Sequence, residues 1–436
     1  MDILLIIGFL CIMVNESGEY IFDDKKAEKL EIYDIETSNT ETMYSTYIAT
    51  LLDEKLWNSR DAYDTTHYLM VPMYYAFQEK NEEWIQLFTN HVEKFSNMSE
   101  GEKEKFEALP EVDKWQYLWW ISNYLCLCVQ YDYDIPQKTY DMLYCEMKNR
   151  VNSYTGNWES TENYSNMWET YEGLLSGKGY ANEKSYSNVF TPLDLKHLAI
   201  LCDLKYVQDN GKLTQTYDNE NFEKAIDFAN RIMTSRVTWY EDGTCQFQVG
   251  MWRDYPDYLF ADLTTETEIE NRLQSNSVVA DVVDDTNHFM IVPLLLRSYS
   301  RVQQDINMKQ YYEKLSSGIS KTFVEKVLKK PTEDCPYYRL TNYMDGRNGF
   351  YRYGYHTDRI GYGPYQQSSE FLMGYWAFCS ENDEISEAYA YTASRFPLDD
   401  VGKKVYMDPV TVRKRNPIFM MESYEQFLCY LASELK

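Results

Sequence analysis

The chain has 436 residues, enough for one large domain with a substantial core or for two domains of ordinary size. Its formal net charge of −27 argues against a nucleic-acid partner, because phosphate binding requires clustered lysine and arginine side chains. The same charge makes a strongly anionic polymer a less favourable substrate, although a local basic cleft could outweigh it. The chain has 41 tyrosines and 10 tryptophans, side chains that can stack on sugar rings and bind sugar hydroxyls.

At the amino end, residues 3–14 form an apolar run that is too short to span a bilayer but has the length of a signal-peptide core. We therefore expect residues 1–18 to be a signal peptide and the protein to be secreted or extracytoplasmic. The alternative is a first buried strand or helix, since no Lys or Arg precedes the run. Residues 19–40 are acidic and predict a leader or a first turn. No other segment predicts a membrane span.

Segments with helical periodicity then follow one another along the chain. They cover residues 42–57, 64–79, 81–95, 113–131, 136–150, 191–208, 219–235, 307–328, 366–379 and 417–434. Thr191 and Pro192 mark a helix start, because Thr can cap a helix and Pro fits its first turn. Strands are predicted only in two short hairpins, at residues 236–250 and 338–356, each with an Asp-Gly pair.

This order of elements predicts a mainly α fold, in which residues 19–436 form a single α/α toroid. Such a toroid is a ring of helical hairpins, and the two β-hairpins would be insertions at its mouth. The helix pairs, the W-x-D-x-P-D-Y stretch (252–258), the D-D-T-N-H stretch (284–288) and a late Y-G-P-Y…G-Y-W stretch resemble α/α-toroid carbohydrate-active enzymes. That group includes glycoside hydrolases and polysaccharide lyases. The resemblance is architectural and matches no single family, so it assigns no catalytic role to any residue.

The stretch VVADVVDDTNHF, residues 278–289, is the first candidate site. If it is helical, Asp281, Asp284 or Asp285, and His288 share one face. A carboxylate beside an imidazole can fix its tautomer and raise its pKa, which suits proton transfer near neutral pH. The alternative is that an aspartate caps the helix that follows, with His288 in the core.

The stretch VGMWRDYPDYLFAD, residues 249–262, is the second candidate. Asp254 and Asp257 lie three residues apart, and glycoside hydrolysis requires paired carboxylates. The sugar contacts expected beside them are aromatic: Trp252, Tyr255 and Tyr258. Arg253 could instead neutralise a uronate carboxylate. The alternative is an irregular loop packed by its aromatic side chains.

Residues 337–370 are the third candidate, because loops on a helical scaffold commonly carry binding groups. Arg352, Tyr353, His356 and Tyr362 are its polar and aromatic candidates, and Tyr355, Arg359 and Glu370 lie in the same region. A tyrosine near a histidine or arginine could act as acid or base in a β-elimination. For each residue, ordinary aromatic packing is the alternative.

The leading hypothesis is a glycan hydrolase that uses Asp285 and Asp257, with Asp254 as the substitute and an oligo- or polysaccharide as substrate. The second hypothesis is a polysaccharide lyase or uronyl epimerase. Its proton-transfer groups would be His288, Tyr362 and Tyr353, and Arg253 or Arg352 would hold the carboxylate. The third is a glycan-binding protein without catalysis. The sequence has no nucleotide, zinc-protease or EF-hand motif, so no cofactor and no metal are predicted.

Overall fold

A computed structural model describes residues 39–59, 62–156, 164–177, 184–273, 279–354, 361–407 and 417–436, and two short strands near the amino end. These residues are mainly helical, as the sequence predicts. The α-helices are α1 Thr40–Met43, α2 Ala49–Asp53, α3 Ala62–Gln78, α4 Glu82–Ser96, α5 Glu100–Glu107, α6 Glu111–Gln130, α7 Gln137–Ser153, α8 Met167–Ser176, α9 Pro192–Asn210, α10 Glu220–Ser235, α11 Glu266–Leu273, α12 Thr286–Phe289, α13 Val292–Arg301, α14 Ile306–Thr322, α15 Glu370–Met373, α16 Asp383–Ala393, α17 Asp400–Tyr406 and α18 Glu422–Glu434.

Shorter helical turns join several of these helices. Tyr44–Ile48 and Phe323–Val327 are π-helical, and the 3-10 turns are Leu56–Asn58, Ser185–Asn188, Pro256–Tyr258, Trp376–Phe378 and Pro417–Met420. The strands form three antiparallel pairs: β1 Ile12–Val14 with β2 Tyr20–Phe22, β3 Val237–Trp239 with β4 Cys245–Phe247, and β5 Leu328–Lys329 with β6 Arg339–Leu340.

The helices pack in two layers. α3, α6 and α9 are buried on nearly every side, as expected for helices inside a protein. α3 packs against α6, α6 against α9 and α9 against α13, while α18 contacts α3. α4, α10 and α14 bury one face each and pack against α3, α9 and α13 respectively. The core therefore lies mainly between inner and outer helices.

The first predicted hairpin is confirmed. β3 and β4 pair with Val237 opposite Phe247, and Gly243 has a φ of +82°, which the turn requires and which glycine adopts without steric cost. The Asp242 side chain accepts hydrogen bonds from the backbone and hydroxyl of Thr244, which close the turn. Local turn chemistry thus determines this element.

The second predicted hairpin is wrong. β6 pairs with β5, which follows α14, and not with the later part of 338–356. Asp345-Gly346 does form a turn, because the Gly346 N–H donates to the Tyr343 carbonyl, but no ladder follows it. Tyr351 makes a single antiparallel bridge with Tyr362 instead.

The predicted helix over residues 366–379 is also interrupted. α15 ends at Gly374, and Tyr375 adopts a left-handed conformation with a φ of +65°. The Tyr389 hydroxyl lies within hydrogen-bond distance of the Phe371 and Gly374 carbonyls, and the Tyr375 hydroxyl donates to the Thr286 carbonyl at 2.6 Å. These long-range bonds satisfy backbone groups that a continuous helix would otherwise use.

At the amino end, Ile12–Val14 is a strand within the apolar run expected to be a signal peptide. The rest of residues 1–18 lies outside the described residues, so the signal peptide stays a prediction. The described helices include none with the length and apolar content needed to cross a bilayer. Within the same residues the eight cysteines are free, and seven of them are buried, in keeping with thiols that serve as packing groups.

Candidate active site

A cavity of about 430 Å³ lies where the amino ends of several helices meet. The first turns of α3, α6 and α9 each contribute to its wall, as do α12 and α15. Most of the rest of the wall comes from residues of two loops: Trp252, Tyr255, Asp257 and Tyr258 in one, and Arg352 and Tyr362 in the other. Because helix amino ends carry partial positive charge, this arrangement favours negative groups in and around the cavity.

His288 and Asp285 form a hydrogen-bonded pair at one wall of this cavity. Asp285 caps α12, and its Oδ1 accepts the backbone N–H groups of Asn287 and His288 at 3.1 Å. Its Oδ2 lies 2.7 Å from His288 Nδ1, and the His288 side chain is 33% exposed while that of Asp285 is fully buried. The cap therefore fixes the carboxylate, and the carboxylate fixes the imidazole with Nε2 left for a bound molecule.

Tyr258 and Asp284 extend this pair into a buried network. The Tyr258 hydroxyl lies 2.6 Å from Asp284 Oδ1 and 2.5 Å from Asp285 Oδ2. A hydroxyl has one proton, so the two contacts are both hydrogen bonds only when one carboxyl is itself protonated. Burial and the neighbouring Asp285 carboxylate raise the pKa of Asp284 to about 7, which makes Asp284 the carboxyl that holds the extra proton.

Within this network, the ionised groups are the Asp285 carboxylate and the protonated His288 imidazole. Burial alone would raise the pKa of Asp285, but the adjacent His288 outweighs it and lowers that pKa below its usual value. Burial likewise lowers the pKa of His288, and the Asp285 carboxylate outweighs it, so the pKa of the imidazole is raised. His288 is therefore a stronger base than a free histidine, although a larger fraction of it is protonated at neutral pH.

The first candidate stretch is helical only in its last part. α12 begins only at Thr286, and Asp281 is exposed rather than on a shared face with His288. Asp285 fulfils the capping alternative and, at the same time, contacts His288. Asp285 is fully buried behind the imidazole and does not line the cavity, so it contacts His288 rather than the cavity itself.

Asp257 and Arg352 form a second charged pair at the cavity wall. Arg352 Nε donates to Asp257 Oδ2 at 2.8 Å, and its backbone N–H donates to the Asp257 carbonyl at 2.9 Å. Both side chains are largely buried, at 4% exposure for Asp257 and 16% for Arg352. This buried pair places a guanidinium and a carboxyl group side by side at the cavity wall.

Seven of the twelve residues proposed from the sequence line the cavity. They are Trp252, Tyr255, Asp257, Tyr258, His288, Arg352 and Tyr362. The Trp252 ring packs edge-on against Tyr255 and tilted against Tyr258, with centroids 5.2 Å apart in both cases. This aromatic group forms an apolar wall of the sort that holds sugar rings.

Of the other proposed residues, three lie away from the cavity wall: Asp254, Arg253 and Tyr353. Asp254 accepts the Ser185 hydroxyl at 2.6 Å and the Ser185 backbone N–H, so it anchors the Ser185–Asn188 turn outside the cavity wall. Arg253 is exposed and does not line the cavity. Tyr353 packs against the rings of Phe260 and Phe350. His356 lies outside the described residues.

Sequence reasoning missed the contribution of the helix amino ends. Asp64 and His67 on α3, Asp113 on α6 and Lys196 on α9 all line the cavity. Glu370 of α15, noted in the third stretch without a role, lines it too. Polar residues in the first turn of a helix are so common as caps and surface groups that nothing local distinguishes these. The signal that could have found them is the expectation of a toroid, because a closed ring would bring its helix ends together.

Asp284, Asp285 and His288 place potential ligand atoms within 4.8 Å of one another. Their oxygens and Nδ1 already form hydrogen bonds with one another, with the Tyr258 hydroxyl and with backbone amides. The hydrogen-bond network is therefore sufficient to explain why these groups lie together.

Comparison with known proteins gives no match to a protein family, to a curated protein or to a solved structure. The chemistry of the cavity thus supplies the argument for function.

Proposed function

We propose that this chain is a glycan-cleaving enzyme and that the cavity is its active site. The main support is His288, whose Nδ1 is held by the buried Asp285 while the ring is partly exposed at the cavity wall. This is the arrangement of a proton-transfer group with a fixed tautomer. The aromatic wall of Trp252 and Tyr255 supports a sugar as the bound molecule.

The reaction we favour is β-elimination at a uronate, the second of the hypotheses raised from the sequence. His288 Nε2 takes the proton from the carbon that bears the carboxylate, and the electron pair forms a carbon–carbon double bond. The bond to the glycosidic oxygen then breaks, and that oxygen takes a proton from an acid. Tyr362, which lines the same cavity, is the proposed acid.

We favour elimination over hydrolysis because the side chain placed for proton transfer is the imidazole of His288 and not a pair of carboxylates. Asp285 is withdrawn behind His288, and Asp254 holds a turn, so the pair first expected for hydrolysis does not face one bound sugar. One observation still favours hydrolysis as a second candidate. Asp257 and Glu370 line the cavity and offer a different carboxylate pair.

We also infer that the inner helices form the ring of an α/α toroid. The support is the packing order: α3, α6, α9 and α13 follow one another, α13 contacts the Trp376–Phe378 turn, and α15 and α18 both contact α3. A ring closed in this way collects helix ends at its mouth, where a substrate could enter.

The experiment that tests the function is incubation of the purified protein with neutral and uronate-containing glycans. New reducing ends and ultraviolet absorbance are followed together. Absorbance that rises in step with reducing ends is the result expected for elimination, because the product carries a carbon–carbon double bond. Reducing ends without absorbance would replace elimination by hydrolysis. Binding without either signal would favour the third hypothesis, a glycan-binding protein.

A further inference from the structure

Lys196 is a buried cation at the cavity wall that neither the His288 network nor the Asp257–Arg352 pair uses. It lies on α9 close to the amino end, and it is 3% exposed. The cavity is lined by this side chain together with Thr191, Pro192 and Leu193 of the same helix end. A lysine so deeply buried is uncommon unless it has a charged partner.

Within the described ranges, Lys196 forms no ion pair and no side-chain hydrogen bond. Its ammonium lies over the rings of Tyr63 and Trp119, 5.1 Å and 5.7 Å from their centroids. Burial lowers the pKa of Lys196 to about 7, and attraction to Asp113 offsets only part of that effect. The ring contacts thus leave most of the desolvation cost of this cation unrelieved.

The other charged groups near Lys196 come from neighbouring helices. His67 on α3 is buried, and burial together with repulsion from Lys196 lowers its pKa well below the usual value, so it is neutral. Asp64 and Asp113 line the cavity at the starts of α3 and α6. On α9 itself, Asp194 is occupied in the helix cap, where its side chain accepts the Thr191 backbone N–H at 2.8 Å.

The geometry points to a subsite in which Lys196 and the amino end of α9 bind an acidic group, carboxylate or sulfate, on the substrate's sugar. Two independent features agree there: a helix end that favours anions, and a buried ammonium that forms no ion pair and no hydrogen bond within the described residues. The inference rests on the proposed function only in taking the bound molecule to be a sugar. It also supplies what elimination needs, because Arg352 Nε is already bonded to Asp257 and Lys196 is not so engaged.

The test is an equilibrium titration followed by tryptophan fluorescence, since Trp252 lines the cavity. The ligands are glucose, glucuronic acid and glucose 6-sulfate, and the proteins are the wild type, Lys196→Met and Lys196→Arg. We expect the wild type at pH 6 to bind at least one acidic sugar about tenfold more tightly than glucose. Lys196→Met should lose that preference, and Lys196→Arg should keep part of it.

The pH dependence gives a second readout. The preference should decline as the pH rises above about 7, because the ammonium that attracts the anion loses its proton. Which acidic sugar is preferred distinguishes a carboxylate from a sulfate ester. Equal binding of glucose and both acidic sugars by the wild type, no binding of any of them, or an unchanged preference in Lys196→Met would each overturn the inference.

Failure of this inference is separable from failure of the proposed function. The same titrations with Tyr362→Phe, which removes only the hydroxyl of the proposed acid, should show the acidic preference intact. Thermal unfolding of Lys196→Met checks folding, and its Tm should not fall, since an uncharged side chain replaces a desolvated cation. A Lys196-dependent preference in a protein that cleaves no glycan would support the subsite and reject the enzyme.

Discussion

At the scale of single residues, His288 and Asp285 work as one unit because each determines the other's charge. The sequence spacing of three residues predicted their contact. It did not predict that Asp285 would be buried behind the ring, because that burial depends on Tyr258, which lies 27 residues earlier in the chain. Lys196 was missed for a similar reason, since a lysine in a helix is ordinarily exposed and only the surrounding helices bury it.

The Asp285→Asn variant tests this unit through the pH profile. Without the carboxylate, the pKa of His288 should fall, so the pH of half-maximal cleavage moves to a lower value. The maximal rate should drop about 10²-fold or more, because the imidazole loses its fixed tautomer. Asp281→Asn, four residues earlier and exposed, is the matched control and should leave rate and profile unchanged. A slower enzyme with an unshifted profile would contradict the role given to Asp285.

Asp284 predicts a pH-dependent stability. Its pKa in the folded protein is about 7, against 3.8 for an ordinary aspartate, so folding favours the protonated form. The stability from this carboxyl is fully present below about pH 4 and is lost as the pH rises through about 7. Asp284→Asn keeps an acceptor for Tyr258 without this loss. Its Tm should exceed that of the wild type by about 2 °C or more at pH 8.

The Tm values of Asp284→Asn and wild type are measured by thermal unfolding at a series of pH values. The difference between Asp284→Asn and wild type should shrink steadily towards pH 4. Asp281→Asn again serves as the control, with no such trend. A difference that is constant across the series, or that grows in acid, would show that Asp284 is not held protonated by the fold.

At the scale of elements, local chemistry predicted some parts well and long-range contacts decided others. The β3–β4 hairpin followed from Asp242-Gly243, whose turn is closed by bonds within five residues. The helix over 366–379 did not form as predicted, because the hydroxyls of Tyr375 and Tyr389 form hydrogen bonds with backbone carbonyls that are distant in the sequence. The periodicity of that segment records which residues are buried, and it cannot show where tertiary bonds end a helix.

The β3–β4 hairpin packs on α14, and this contact gives a prediction at Gly318. A Cβ built there would lie 2.7 Å from the Trp239 ring and 2.9 Å from Cys245 Sγ. We expect Gly318→Ala to lower the free energy of unfolding by about 1–3 kcal/mol, because the hairpin must shift to make room. Urea denaturation measures the change.

Gly101 is the matched control for this substitution. It lies in α5, and a Cβ built there meets nothing within 4 Å. Gly101→Ala should be neutral or stabilise by up to about 1 kcal/mol, since alanine favours the helix. Equal effects of the two substitutions would mean that hairpin and helix are not in close contact.

At the scale of the whole molecule, the mainly helical fold was predictable because helical periodicity persists along the chain. The packing of helices that brings several amino ends together at the cavity was not predictable from local patterns. It depends on contacts such as that of α18 with α3, which joins distant parts of the chain. The sequence therefore predicted only part of the cavity wall and missed the residues at those helix ends.

The net charge of −27 predicts how salt affects an acidic substrate. A uronate polymer is repelled by the surface as a whole, whereas the buried Lys196 attracts it only at the cavity. Raising the ionic strength from about 0.01 M to 0.15 M should screen the surface repulsion more strongly than the buried attraction. The KM for a uronate polymer should therefore fall, while the KM for any neutral glycan that is cleaved should not change. A KM for the uronate polymer that rises with ionic strength would contradict this prediction.

The central claim is that His288 removes a proton from a uronate bound in the cavity. The most direct measurement is the ultraviolet absorbance of unsaturated product when wild type and His288→Gln are incubated with uronate-containing glycans. We expect absorbance in step with new reducing ends for the wild type, and a rate about 10³-fold lower for His288→Gln. Equal rates for the two proteins, or reducing ends from the wild type without absorbance, would contradict it.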